Sequence, residues 1–94
     1  MTDHLQFYID GKWVAPQSQN TSDVINPATE QPIGKIAMGN EGDVNAAVAA
    51  ARKAFPKWSA STREERVALL EKIIALYKER IPEMAGTISA EMGA

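Results

Sequence analysis

Apolar and polar residues follow two rhythms along this chain. Up to about Met38 they alternate over short runs, and beyond Asn40 they recur with a period near 3.6. In the first run Leu5, Phe7 and Ile9 fall on one side and Gln6 and Tyr8 on the other, as in a half-buried strand. Asp10-Gly11 follows, then Lys12-Trp13-Val14. An Asp-Gly pair between two β-prone runs predicts a type I′ hairpin, whose two central residues need positive φ. Strands are expected at about 5–9 and 12–15, with Pro16 closing the second. A second hairpin is expected from Ser22–Asn26 and Ile33–Met38 around the turn Asn26-Pro27-Ala28-Thr29, with Pro32 and Gly34 flanking the return. Together the hairpins offer a short four-stranded sheet, marginal unless something packs on it.

The helical rhythm starts at Asn40, a good N-cap with Asp43 three residues on. Val44, Ala47, Val48, Ala51 and Phe55 give an Ala-rich helix over about 41–55, ended by Pro56 because the residue before a proline is pushed out of the α region. Lys57–Ala60 then reads as a connector carrying Trp58. The strongest element covers about 62–80. Val67, Leu70, Ile74 and Tyr77 line one side, Leu69 and Ile73 widen it, and Glu64, Glu71 and Lys78 lie opposite. Ser61 and Glu64 have the spacing of a capping box. Pro82 breaks the helix near Arg80-Ile81 and restarts it over about 82–92, with Ile81, Met84, Ala85, Ile88 and Met92 in helical register. Gly86 and Thr87 weaken this third helix by propensity, so tertiary contacts must hold it. The fold class is therefore α+β: two short β-hairpins followed by three α-helices.

Ninety-four residues make one small domain at most, burying roughly 60–65% of the unfolded surface. Three helices with broad apolar faces need more cover than four short strands supply. The expectation is that residues 1–94 are a segment of a larger protein, with the helices as cladding on a body outside them. Ten Lys and Arg against twelve Asp and Glu, with no basic block, argue against nucleic acid as a partner. No apolar run approaches the roughly 20 residues of a membrane span, and the N-terminus lacks the order of a secretory signal, so a cytoplasmic protein is expected. In that setting the sequon at Asn20-Thr21-Ser22 is inert.

Few residues can carry chemistry. The absence of cysteine excludes disulfides, thiolate ligands and a cysteine nucleophile. His4 is the sole histidine and reads as a solvated side chain in a mobile terminus, so neither a His–Cys zinc site nor a Ser-His-Asp set is credible. The glycines make no phosphate-binding pattern. Glu64-Glu65 reads as helix-dipole complement rather than an acid–base pair. Arg66 stands at the border of the apolar stripe, either anchoring a carboxylate or backbone carbonyl or snorkelling into solvent. Trp13, Phe55 and Trp58 read as core or interface anchors rather than base-stacking platforms. Glu91, near the carbonyls that end the third helix, has a donor environment suited to a hard cation, though an exposed helix glutamate fits the spacing too.

The order of motifs adds a resemblance. Phe7-Tyr8-Ile9-Asp10-Gly11-Lys12-Trp13 resembles the opening hairpin of the NAD(P)-dependent aldehyde dehydrogenase superfamily. Val24-Ile25-Asn26-Pro27-Ala28-Thr29 looks like its next signature, and Asp43-Val44 to Phe55, Trp58 and Arg66–Leu70 are similar to its first helices. Glu91-Met92-Gly93 resembles the acid-x-Gly that closes its third helix. The resemblance implies an N-terminal segment that wraps an α/β coenzyme-binding domain, within an enzyme that oxidises aldehydes to carboxylic acids with NAD or NADP. In that family a cysteine attacks the aldehyde and a glutamate helps water release the thioester, both far downstream. No residue here is catalytic or cofactor-binding on this reading. The expected partner is the remainder of the parent enzyme, which is expected to be a homo-oligomer. Some members bind a monovalent cation through main-chain oxygens of the two residues before Asn-Pro and an acid before the closing Gly; here these are Val24, Ile25 and Glu91. Many members place Lys after that Gly, where this chain has Ala94. The rival to an enzyme segment is a free-standing helical module that docks a protein partner.

Overall fold

The computed structural model describes residues 3–94. Strands β1 (Phe7–Ile9), β2 (Lys12–Val14), β3 (Thr21–Asn26) and β4 (Gln31–Ala37) precede helices α1 (Glu41–Ser59), α2 (Arg63–Glu79) and α3 (Ile81–Met92). The strands form two separate antiparallel pairs, β1–β2 and β3–β4, rather than one four-stranded sheet. Asp10 and Gly11 have φ of 56° and 76°, the positive values that a two-residue I′ turn demands. Ile9 pairs with Lys12 across that turn and Phe7 with Val14.

The second hairpin is built around Asn26. Its side chain accepts a hydrogen bond from Ala28 N at 2.9 Å, and its carbonyl accepts from Glu30 N at 2.8 Å. Glu30 takes the left-handed conformation (φ 58°) that turns the chain into β4. The return starts earlier than the flanking prolines suggest, because Pro32 is accommodated inside β4 at a register shift: Val24 pairs with Gly34 and Ile25 with Pro32. His4 is tied down by backbone hydrogen bonds. His4 N donates to Lys35 O and Ala37 N to His4 O, a parallel bridge that extends the β4 edge.

Helix α1 begins as expected, with the reciprocal capping box between Asn40 and Asp43. It does not stop at Pro56 but runs through it to Ser59. Proline removes one N–H and is costly deep inside a helix; three residues from the end, little ladder remains to lose. Hydroxyls take up carbonyls there, Ser59 Oγ donating to Pro56 O at 3.0 Å and Ser61 Oγ to Trp58 O at 2.6 Å. That last bond occupies Ser61, so the α2 cap shifts one residue from the predicted pair. Thr62 caps, accepting from Glu65 N at 3.1 Å, while Glu65 Oε2 accepts from Thr62 N at 3.4 Å. Helix α3 starts at Ile81 after a break at Arg80, with Pro82 in its first turn.

Helix α3 packs on β3, α1 on β1 and α2 on α3. These contacts enclose almost nothing. Among the described residues only Ala37 and Asp43 are buried. The expected anchors Trp13, Phe55 and Trp58 stay 65%, 63% and 49% exposed. The radius of gyration is 17.0 Å, against about 12 Å for a compact chain of this length.

Candidate functional site

Helix α3 packs on β3, and its end meets the turn that follows that strand. Gly93 caps α3 in the left-handed conformation (φ 75°), and its N–H donates to Ser89 O at 2.9 Å. A side chain there would stand 2.8 Å from Ala28 N and 3.3 Å from Pro27 Cδ, so the helix end abuts the β3–β4 turn. Glu91 lies two residues before Gly93; Val24 and Ile25 lie on β3 just before Asn26. The register shift falls between Val24 and Ile25, and the residue opposite Ile25 is Pro32, which has no N–H to offer a carbonyl. Strand carbonyls at such an interruption are the ones free to face another donor or a cation. Among the described residues the Glu91 carboxylate has no hydrogen-bond or ion-pair partner, and no three His, Cys, Asp or Glu side chains cluster. A donor set of one carboxylate and main-chain oxygens suits a hard cation rather than zinc.

The remaining candidates separate clearly. Arg66 takes the carbonyl-anchoring role: its guanidinium donates to Ser61 O and, at 3.2 Å, to Ser61 Oγ, bracing the α1–α2 corner. Glu65 is spent on the α2 cap and Glu64 lies exposed in the same turn, so the pair is no acid–base couple. The His4 side chain is exposed. Tyr8 and Trp13 form an edge-to-face pair at 5.2 Å on the outer side of the first hairpin. An open groove of about 530 Å³ at the α1–α2 corner is lined by Asp10, Lys53, Lys57, Trp58 and Glu65. Charges of both signs line it, so it concentrates neither anions nor cations.

One linkage has no counterpart in the sequence reading. Asp43 caps α1 and also reaches back 26 residues, accepting from Gln17 N at 3.0 Å through Oδ1. The local signal, Asp at the third helical position, foretold the cap. The long-range half depends on where the polar segment after Pro16 comes to lie, which residue spacing does not encode.

Comparison with known proteins bears on the whole chain. The model of the aldehyde dehydrogenase family matches residues 13–94. The chain is 45% identical over 94 residues to the 3-succinoylsemialdehyde-pyridine dehydrogenase of a Pseudomonas species, spanning all of this chain and 20% of that protein. It superposes on an aldehyde dehydrogenase from Bartonella henselae with a TM-score of 0.96 at 40% identity, covering 100% of this chain and 20% of the other. For aldehyde dehydrogenase C of Pseudomonas syringae, solved with NAD+ and octanal, the TM-score is 0.92 at 48% identity, over 95% of this chain and 18% of that one. The chain thus spans about a fifth of the length of the relatives it matches.

Proposed function

This chain belongs to the aldehyde dehydrogenase family, and from that premise we propose that it is the N-terminal, structural segment of an enzyme that oxidises an aldehyde to a carboxylic acid with NAD or NADP. The observation that carries the reading is the end-to-end match, at 45% identity, to a fifth of a longer dehydrogenase. The physical counterpart is the uncovered apolar surface of all three helices, which suits cladding on a coenzyme-binding body. The dinucleotide, when bound, supplies the hydride acceptor; no residue of this chain is assigned to hold it. With no cysteine among its 94 residues, the chain contributes no thiol nucleophile. Its work is to present hairpins and helices that fix the shape of the domain they cover. Its partner is the remainder of the enzyme, itself a cytoplasmic homo-oligomer on this reading.

The test is direct. The natural polypeptide carrying these residues is expected to reduce NAD+ or NADP+ when given an aldehyde, read as absorbance of the reduced nicotinamide. The isolated 94 residues are expected to give none, and turnover by them would overturn the proposal. Within the same reading, the main-chain oxygens of Val24 and Ile25 and the Glu91 carboxylate hold a monovalent cation at the α3–β3 junction. The thermal midpoint of the natural polypeptide should then rise with sodium or potassium at constant ionic strength, and Glu91→Gln should abolish the rise. Equal responses of the two proteins would remove Glu91 from the site.

A further inference from the structure

Residues 5–19 leave and rejoin the body of the chain at one place. At the outgoing end His4 N donates to Lys35 O at 2.8 Å and Ala37 N to His4 O at 2.9 Å; at the returning end Met38 N donates to Asn20 O at 2.9 Å. Both feet therefore stand on β4 and its exit. Between them the chain runs out through β1, turns at Asp10-Gly11 and comes back through β2. The underside is only loosely fixed, with Phe7, Ile9 and Val14 half-buried and the Phe7 ring lying over Gly39. One polar fastening crosses from this excursion to α1. Gln17 N donates to Asp43 Oδ1 at 3.0 Å and lies 3.4 Å from Oδ2. Asp43 is 7% exposed, the one buried polar residue among those described. Its Oδ2 also accepts from Asn40 N at 3.1 Å, so the carboxylate that completes the α1 cap also grips the segment that follows β2.

We infer that residues 5–19 form a flap hinged on β4 at both ends, and that Asp43 is the clasp holding it down on the first turn of α1. The clasp is a charge-assisted bond to a main-chain N–H in a site with little water, the kind of hydrogen bond that is costly to lose. Local opening is limited by the fastenings that must break, and the Gln17–Asp43 bond is the one side-chain hydrogen bond between the flap and α1 among the described residues. Opening parts Phe7, Tyr8 and Ile9 from Val44 and Ala47, with which they line an open groove. The inference stands on contacts inside these residues and does not depend on the family reading.

Hydrogen exchange read by mass spectrometry on the natural polypeptide tests it. Gln17→Pro deletes the donor and leaves Asp43 and the α1 cap intact. It is expected to speed exchange over residues 6–17 about ten-fold, with residues 21–37 and 44–58 unchanged. Asp43→Ala should give the same loosening and, in addition, faster exchange at the start of α1; Asp43→Asn, which keeps one acceptor, should fall between. Unchanged exchange over 6–17 in Gln17→Pro would overturn the inference. Equal acceleration over 21–37, or outright unfolding of that variant, would also overturn it, since either means the flap does not open separately.

Discussion

Gly93 and Gly86 are the same residue type under opposite demands. Gly93 sits at φ 75° with a backbone nitrogen 2.8 Å from where a side chain would begin, whereas Gly86 has φ below zero and nothing within 4 Å. Gly93→Ala is therefore expected to cost at least about 1–2 kcal/mol, and Gly86→Ala to gain about 0.5–1 kcal/mol, in denaturant unfolding of the natural polypeptide. Ionisation adds a second residue-scale expectation. The hydrogen bond from Arg80, at 2.7–2.9 Å, and then its positive charge hold the Glu83 carboxyl below its usual value, while Glu83 raises Arg80. A depressed carboxyl favours the folded state above its unfolded pKa, and that contribution fades as pH falls through the depressed value. Both side chains are largely exposed, so the effect belongs in a titration curve rather than a stability curve. NMR titration should put Glu83 below the ordinary glutamate range, and Arg80→Gln should return it there; an unmoved midpoint would remove Arg80 as the cause.

At the scale of elements, the ends of the helices decide more than their middles. The period-3.6 stripe announced all three helices, and the Asn40–Asp43 box put the start of α1 correctly. The start of α2 fell one residue late because Ser61 and Thr62 are both good caps and Glu64 and Glu65 both good partners. The choice between them is made by Trp58 O, which takes the Ser61 hydroxyl and leaves Thr62 to cap. Thr62→Ala should accordingly cost about 1 kcal/mol, and Ser61→Ala less, in the same unfolding assay. The reverse order would restore Ser61 as the cap. Pro56 shows the same limit: its sequence context marks a helix end, but how near that end already lies decides whether the helix runs through. The Asn26-Pro27 turn after β3 was legible from its residue types. The register shift that interrupts the ladder at Val24 and Ile25 was not, because pairing opposite Pro32 depends on the turn geometry two residues away.

For the molecule as a whole, surface area is the governing quantity. The chain exposes 7600 Å², about 2300 Å² more than the ~5300 Å² expected of a folded protein of this size. A standard-size protein–protein interface covers about 800 Å² per partner, so an excess of this order matches an obligate or intramolecular contact. On α2 alone Leu70, Ile73, Ile74 and Tyr77 each remain at least half exposed. The isolated 94 residues are therefore expected to bind a hydrophobic dye and to self-associate in sedimentation, and Ile74→Glu should weaken both. A dye-silent monomer with a sharp melt would favour the independent docking module instead. The sequence by itself determined the two rhythms, the Asp-Gly turn, the helix count and the width of the apolar faces, because each rests on neighbours within a few residues. Only the tertiary structure decided that those faces stay uncovered by the strands, that Asp43 grips Gln17, and that the end of α3 meets the turn after β3. Those depend on where distant segments meet, and local propensity carries no information about that.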